Sequence, residues 1–173
     1  MTDMDDLPDK MFLTELEQDD DGRRRQTLSF SRSPTVLLNF AANRFTRNAS
    51  RHYQNAFGIG AMDWRMLVSL TRNPGSSVSH ASATIGIDKG AVSRSLARLE
   101  KEGLAKAQCN SPDERRKEWF LTDKGQELHD NVLVAALERQ KHLLRGLSKD
   151  EVAELNRLLS KLLENLDGSE AQN

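Results

Sequence analysis

The feature that most constrains the fold of this 173-residue chain lies between residues 77 and 121, where helix signals stop, restart and give way to strand signals. Ser77 to Ile85 has the length of a short helix, and Gly86-Ile87 makes a tight turn. Asp88 then stands as the N-cap of a helix running to about Glu102 and halted at Gly103. At 100° per residue, Val92, Leu96 and Leu99 share one side of that helix, while Gly90, Arg94, Arg98 and Lys101 fall on the opposite side. One face is built to pack and the other is cationic. Leu104 to Cys109 and Glu118 to Leu121 read as two strands, joined by a polar loop, Asn110 to Lys117, that carries Arg115, Arg116 and Lys117. Helix, turn, helix and a hairpin with a basic tip must therefore form one small unit.

The flanks are helical. Ser33-Pro34 supplies an N-cap and a proline in the first helical position, so the run to about Phe57 reads as helix, ended by Gly58-Ile59-Gly60. A second helix spans about Met62 to Arg72. Its apolar residues, Met62, Trp64, Met66, Leu67, Val68 and Leu70, point nearly all round it, which predicts burial on every side, and Asn73-Pro74-Gly75 stops it. Thr122 caps a helix through about Arg145, and Ser148 with Glu151 forms a capping box opening a last helix to about Leu166. In that last helix Val152, Leu155, Leu158, Leu159, Leu162, Leu163 and Leu166 make an apolar stripe about 140° wide. Such a stripe must pack on the first helix, on a second subunit, or on both.

The net charge of −1 conceals an asymmetry. Residues 1–21 hold nine acidic side chains against Lys10, which leaves 24 basic and 17 acidic groups for the rest, a net of +7. A basic body attracts a polyanion, although the same charges also serve simply to solvate helices. No run approaches the ~18 apolar residues of a membrane span, and the N-terminus is acidic where a signal peptide is basic and then apolar, so a cytoplasmic protein with no membrane partner is expected. Cys109, the single cysteine, excludes an intramolecular disulfide and reads as a passive strand thiol. His52, His80, His129 and His142 show no i, i+3 or i, i+4 pairing, so no metal is expected. Gly58-Ile59-Gly60 is not completed into a dinucleotide fingerprint and no catalytic motif occurs, which predicts neither enzyme activity nor a cofactor.

A helix-turn-helix lays its second helix in the major groove, where a small or polar N-terminal end approaches base edges and cations reach bases and phosphates. Lys89, Gly90, Ala91, Ser93, Arg94 and Arg98 have that chemistry, and Arg115 and Arg116 on the hairpin loop suit minor-groove or backbone contact. Asp63-Trp-Arg-Met-Leu67, Gly86-Ile-Asp-Lys-Gly-Ala-Val-Ser-Arg94, Leu99-Glu-Lys-Glu-Gly-Leu104, Ser111-Pro-Asp-Glu-Arg-Arg116 and Leu121-Thr-Asp-Lys-Gly125, in that order, resemble the MarR family of winged helix-turn-helix repressors. The resemblance covers about residues 34–167. It implies a mainly α fold with a small β-hairpin wing, and an obligate homodimer in which first and last helices interlock over a palindromic double-stranded DNA operator. It also implies that Arg115 reaches the minor groove while Asp113 holds the wing in place. Two departures stand out: Leu104-Ala-Lys-Ala107 lacks the family's usual wing arginine, and the acidic extension is longer than most.

The expected organisation is an acidic, largely disordered extension with at most one short helix over 1–33, a first dimerisation helix over 34–58, the winged helix-turn-helix over 59–125, C-terminal dimerisation helices over 126–167, and a tail over 168–173. Dimerisation is assigned to Val36, Leu155, Leu159, Leu162, Leu163 and Leu166. On the helical wheel Arg44 falls between Phe40 and Leu37, and Arg65 between Met62 and Val68, so both are expected amid apolar residues. A buried arginine must be paired. Either it bridges to an acid such as Asp63, Asp130 or Glu127, or it lines a pocket between the dimer helices and the DNA lobe, where the resemblance also places ligands. In such a pocket Arg44 and Arg65 would hold an anionic head group while Phe40, His52, Tyr53 and Trp64 enclosed a flat apolar body. The expected function is then a repressor released from DNA by a small aromatic acid or phenolic metabolite. The alternative is a helical adaptor dimer that binds a protein partner through its acidic tail, without DNA or catalysis.

Overall fold

A computed structural model describes residues 7–17, 22, 24–109 and 117–170. Its helices begin and end where caps and glycines dictate. Helix α1 (Pro34–Phe57) starts with proline in its first turn and closes on Gly58 at φ 71°. Helix α2 (Ala61–Arg72) follows Gly60 directly. Helix α3 (Val78–Ile85) is capped by the Ser77 hydroxyl, which accepts from the His80 amide at 3.1 Å, and ends on Gly86 at φ 64°. Helix α4 (Lys89–Lys101) is capped by Asp88, whose carboxylate accepts from the Ala91 amide at 2.8 Å. The strands β3 (Ala105–Cys109) and β4 (Lys117–Leu121) pair antiparallel in register Ala105 to Leu121 through Cys109 to Lys117. Helix α5 (Asp123–Leu143) opens on Thr122, and α6 (Lys149–Glu170) on the reciprocal Ser148 and Glu151 capping box, at 3.2 and 2.7 Å.

The core lies where α2 and α4 cross beneath the hairpin. Met66, Leu67 and Leu70 of α2 meet Val92, Leu96 and Leu99 of α4, closed by Leu104 and Trp119 of the hairpin, Val132 of α5 and Tyr53 of α1. The hairpin is sewn to the α2–α3 turn. The Gly75 amide donates to the Trp119 carbonyl at 2.9 Å, and the Trp119 amide to the Ser76 carbonyl at 3.1 Å. Helix α5 leaves the hairpin without a linker. The Thr122 amide donates to the Leu104 carbonyl at 3.1 Å, and Gly125 is buried against that same carbonyl.

Two expectations are corrected here. The sequence pattern predicts a largely disordered extension, but its described residues form a 3-10 turn (Asp9–Met11) and a short hairpin, β1 (Leu13–Glu15) with β2 (Gln26–Leu28). The hairpin is tied down at the start of α1, since the Ser29 amide donates to the Phe12 carbonyl at 2.7 Å, Arg32 donates to the Leu13 carbonyl, and Phe30 stacks edge-on against Phe40 with centroids 5.1 Å apart. Three-residue strands are too short to leave a periodicity, so the pattern could not reveal them. Helix α2, in turn, is not buried all round. Arg65 and Val68 are exposed. Among the described residues no helix is long and apolar enough to cross a membrane.

Candidate nucleic-acid interface and effector cluster

The N-terminal half of α4 is presented to solvent. Lys89, Gly90, Ser93 and Arg94 are exposed and Ala91 is half-buried, on the face away from Val92 and Leu96. A Cβ added to Gly90 would lie 3.1 Å from the Asp88 carboxylate and 3.2 Å from Arg94 Nη1, so the Arg94 guanidinium folds back over the first turn of α4 beside the glycine. Arg98, one turn further on, does something different. Its Nη2 donates to Asp63 Oδ1 at 2.7 Å, so the second of the three cations in the predicted stripe is engaged within the protein.

Beside α4, β3 and β4 carry exposed Lys106 and Lys117 toward the wing tip. Asp113, Arg115 and Arg116 lie outside the described residues. At the tip-side end of β4, Lys117 shares a groove of about 780 Å³ with Arg72 at the end of α2 and with Ser77, Ser79 and His80 at the start of α3. Sequence reasoning missed Arg72 and His80, because the contact joins the end of α2, the start of α3 and the far strand of the hairpin.

The six residues assigned to an effector do not converge as a set. Tyr53 is buried, with its ring 5.9 Å from His52 and 6.0 Å from Trp64, and Trp64 stacks on His129 at 5.3 Å and 24°. The Arg139 guanidinium sits 5.9 Å from the centre of the Tyr53 ring. Burial raises the Tyr53 pKa above its ordinary value, while the charge and hydrogen bond of Arg139 pull the other way. His129 Nδ1 is 2.8 Å from Asp130 Oδ1, and this hydrogen bond, with one from Gln126, lowers the Asp130 pKa. Arg44 and His52 line a groove of about 1120 Å³ between α1 and α5, together with Arg51, Arg139 and His142. Phe40 belongs elsewhere, beside Phe30 and about 20 Å along α1 from Tyr53.

Neither Arg44 nor Arg65 is embedded among apolar side chains, contrary to the wheel-based expectation. Both are exposed, and Arg65 Nη2 donates to the Thr46 hydroxyl at 3.4 Å instead of meeting an acid. The wheel gives direction about an axis but not which neighbouring helix covers that direction. His129 and Arg139, which do join the aromatic cluster, come from α5 and carry no local signal. In α6, Leu155, Leu158, Leu162, Leu163 and Leu166 are exposed in the single protomer and Leu159 is half-buried; Val36 on α1 is half-buried.

A family model described as the MarR family matches residues 57–117, the span from the end of α1 to the second wing strand. The chain is similar to a MarR/EmrR family transcriptional regulator from Acinetobacter sp. ADP1, with 34% identity over 82% of this chain and 99% of that one and a TM-score of 0.76. The fold is also shared with MepR of S. aureus, solved as a DNA complex, with 21% identity over 80% of this chain and 99% of that one and a TM-score of 0.68. PcaV of Streptomyces coelicolor, solved in complex with its natural ligand, matches at 21% identity over 80% of this chain and 96% of that one, with a TM-score of 0.67. A helix-turn-helix whose second helix exposes Lys89, Gly90, Ser93 and Arg94, a two-stranded wing, and a near full-length relative sharing a third of its residues lead to one conclusion: the chain belongs to the MarR family of transcriptional regulators, non-enzymatic proteins that act by binding DNA.

Proposed function

We propose that this protein is a homodimeric repressor that grips a palindromic operator and is released from it by a small aromatic acid or phenolic metabolite. The observation that carries the reading is the exposed, capped N-terminal half of α4, with Gly90 opening space beside Arg94, next to a wing that bears exposed Lys106 and Lys117. In the proposed complex Lys89, Gly90, Ala91, Ser93 and Arg94 enter the major groove, and Arg115 and Arg116 at the wing tip meet the minor groove and the backbone, with Asp113 bracing the loop. MepR, which shares the fold, has been solved on DNA.

Dimerisation is supported by complementary surfaces. Helix α1 contains no acidic residue and offers Arg44 and Arg51 to the α1–α5 groove, whereas α6 carries six acidic residues against three basic ones beside its leucine stripe. Seating α6 of one protomer against α1 and α5 of the other would cover Val36, Leu155, Leu159, Leu162, Leu163 and Leu166 and bring opposite charges together. The effector is proposed to bind where Tyr53 and the stacked Trp64 and His129 gather, with Arg139 over the Tyr53 ring and Arg44 and His52 at the groove edge: guanidinium for a carboxylate, aromatic faces for a flat ring. Phe40 and Arg65 are set aside from that group. A ligand wedged between α1 and α5 would favour one spacing of the two DNA lobes over another. PcaV, of the same fold, has been solved with its natural ligand.

The test is to select bound duplexes from a random pool, measure affinity by fluorescence anisotropy across a salt series, and then titrate benzoates and phenols. Steeply salt-dependent binding to a two-fold site about 10 base pairs between half-site centres, reversed by one of these compounds, is expected. Salt-insensitive or absent duplex binding by the folded dimer would refute the reading.

A further inference from the structure

We propose that Asp63 is the positioning residue for the DNA-reading helix, and that Arg98 acts inward through it rather than outward on DNA. The inference rests on the reading of α4 as the helix that enters the groove. Asp63 is 8% exposed, on the first turn of α2, and its two oxygens are divided between two tasks. Oδ2 accepts from the Gly60 amide at 3.2 Å and closes the start of α2. Oδ1 accepts from the Arg98 guanidinium at 2.7 Å and from the Ser95 hydroxyl at 2.5 Å. One carboxylate therefore ties the cap of α2 to two successive turns of α4. Glu138 with Lys141 and Glu154 with Arg157 pair three residues apart within one helix, whereas this pair spans 35 residues and two helices.

The reason such a tie matters is directional. Val92, Leu96 and Leu99 hold α4 against α2 through apolar contact, which resists separation but fixes rotation about the helix axis only loosely. A roll of about 10° at a radius of about 6 Å displaces a surface atom by roughly 1 Å, beyond the tolerance of about 0.5 Å within which a recognition group must be held. Hydrogen bonds to a fixed carboxylate supply the missing angular restraint. Ser95 is fully buried, so loss of Asp63 would also strand a hydroxyl in the core. With Arg98 held this way, the contacts that α4 offers to bases fall on Lys89, Gly90, Ala91, Ser93 and Arg94. The pair also places the anchor one residue before Trp64, so the same turn of α2 that orients α4 contributes the ring stacked on His129.

The salt dependence of binding separates the two roles of an arginine. A cation that neutralises a phosphate contributes about 0.9 to the slope of log affinity against log salt, and an arginine engaged only inside the protein contributes nothing. Arg98→Ala is expected to weaken the selected operator about 10-fold with the slope unchanged. Asp63→Ala removes a negative charge from a DNA-binding lobe, which by charge alone would strengthen binding, and is expected instead to weaken it by a similar factor. In the Asp63→Ala background, Arg98→Ala should have no further effect, with folding of each variant verified by its thermal transition. A slope lowered by about 0.9 in Arg98→Ala, an unchanged affinity in that variant, or additive losses in the double variant would overturn the proposal. If Asp63→Ala fails to fold, the slope of the half-exposed Arg98→Ala decides alone. Absence of duplex binding by the wild-type protein would refute the DNA reading itself, a distinct outcome.

Discussion

Replacing Gly125 with alanine puts the junction between wing and α5 to a quantitative test. Gly125 lies in the first turn of α5 with ordinary helical backbone, so on helix propensity alone the change would stabilise the protein by about 0.5–1 kcal/mol. The structure reverses that sign. A Cβ at this position would overlap the carbonyl oxygen of Leu104 and come within 2.9 Å of its carbonyl carbon, where carbon atoms ordinarily rest about 3.5–4.0 Å apart. Both partners are backbone and cannot swing aside, so α5 must withdraw from the hairpin by roughly 1 Å. Overpacking of this kind costs about 1–3 kcal/mol. The withdrawal also stretches the bond from the Thr122 amide to Leu104 at 3.1 Å and that from the Thr122 hydroxyl to the Gly103 carbonyl at 2.7 Å, each worth about 1 kcal/mol. The net expectation is a loss of about 2–3 kcal/mol, or a thermal midpoint about 4–12 °C lower for a chain of this size, read by circular dichroism and by urea midpoint. Gly90→Ala is the matched control: its new Cβ meets only side-chain atoms, Asp88 Oδ1 at 3.1 Å and Arg94 Nη1 at 3.2 Å, so strain on the Asp88 cap is offset by the gain of about 0.5–1 kcal/mol in helix propensity and stability should change little, while operator affinity falls as Arg94 is displaced. A Gly125→Ala protein as stable as wild type would refute the steric reasoning.

Arg94→Ala should cost about 1–3 kcal/mol of operator affinity and blur a single base position, as read by competition with singly substituted duplexes, and equal binding of all of them by wild type would count against the assignment. Leu159→Asp, which places a charge in the proposed dimer interface, where burial of each leucine would contribute about 1.5–3 kcal/mol, should give monomer or insoluble protein with loss of operator binding, checked by sedimentation. Tyr53 is the sole tyrosine, so tyrosinate absorbance reports it directly. Its titration should be centred above the ordinary value of 10.0, because burial disfavours the charged form. A folded pKa raised in this way contributes stability that is intact below about pH 10 and is lost as pH rises through the folded value. Arg139→Ala, removing the neighbouring charge, should move the midpoint higher still.

How much of this was legible in the sequence depends on the range of the forces involved. Caps and stops act within four residues, so Asp88, Thr122, the Ser148 and Glu151 box, Gly58 and Gly86 mark the helices correctly. The i, i+4, i+7 spacing of Val92, Leu96 and Leu99 likewise identifies the packed face of α4. The same wheel cannot distinguish Arg94 from Arg98, because the difference between them is made by Asp63, 35 residues away. It places Arg65 among apolar residues by angle, yet the side chain is exposed and its guanidinium reaches the Thr46 hydroxyl of α1. His129 and Arg139 reach the aromatic cluster only through the packing of α5 against α1 and α2, which no window of sequence contains.

The double hydrogen bond between the α2–α3 turn and Trp119 also bears on how the chain folds. An isolated two-stranded hairpin is marginal in water, and this one gains its third partner from Gly75 and Ser76, more than forty residues upstream. Closing that loop must be completed before the contact yields any energy, and α4 has to be docked inside it. The wing is therefore a late-forming element of the folding reaction, with its root bound to the fate of the core. Amide exchange at Trp119 should accordingly report opening of the whole helix-turn-helix unit, while the amide of exposed Gln108, nearer the wing tip, should exchange through much smaller, local openings.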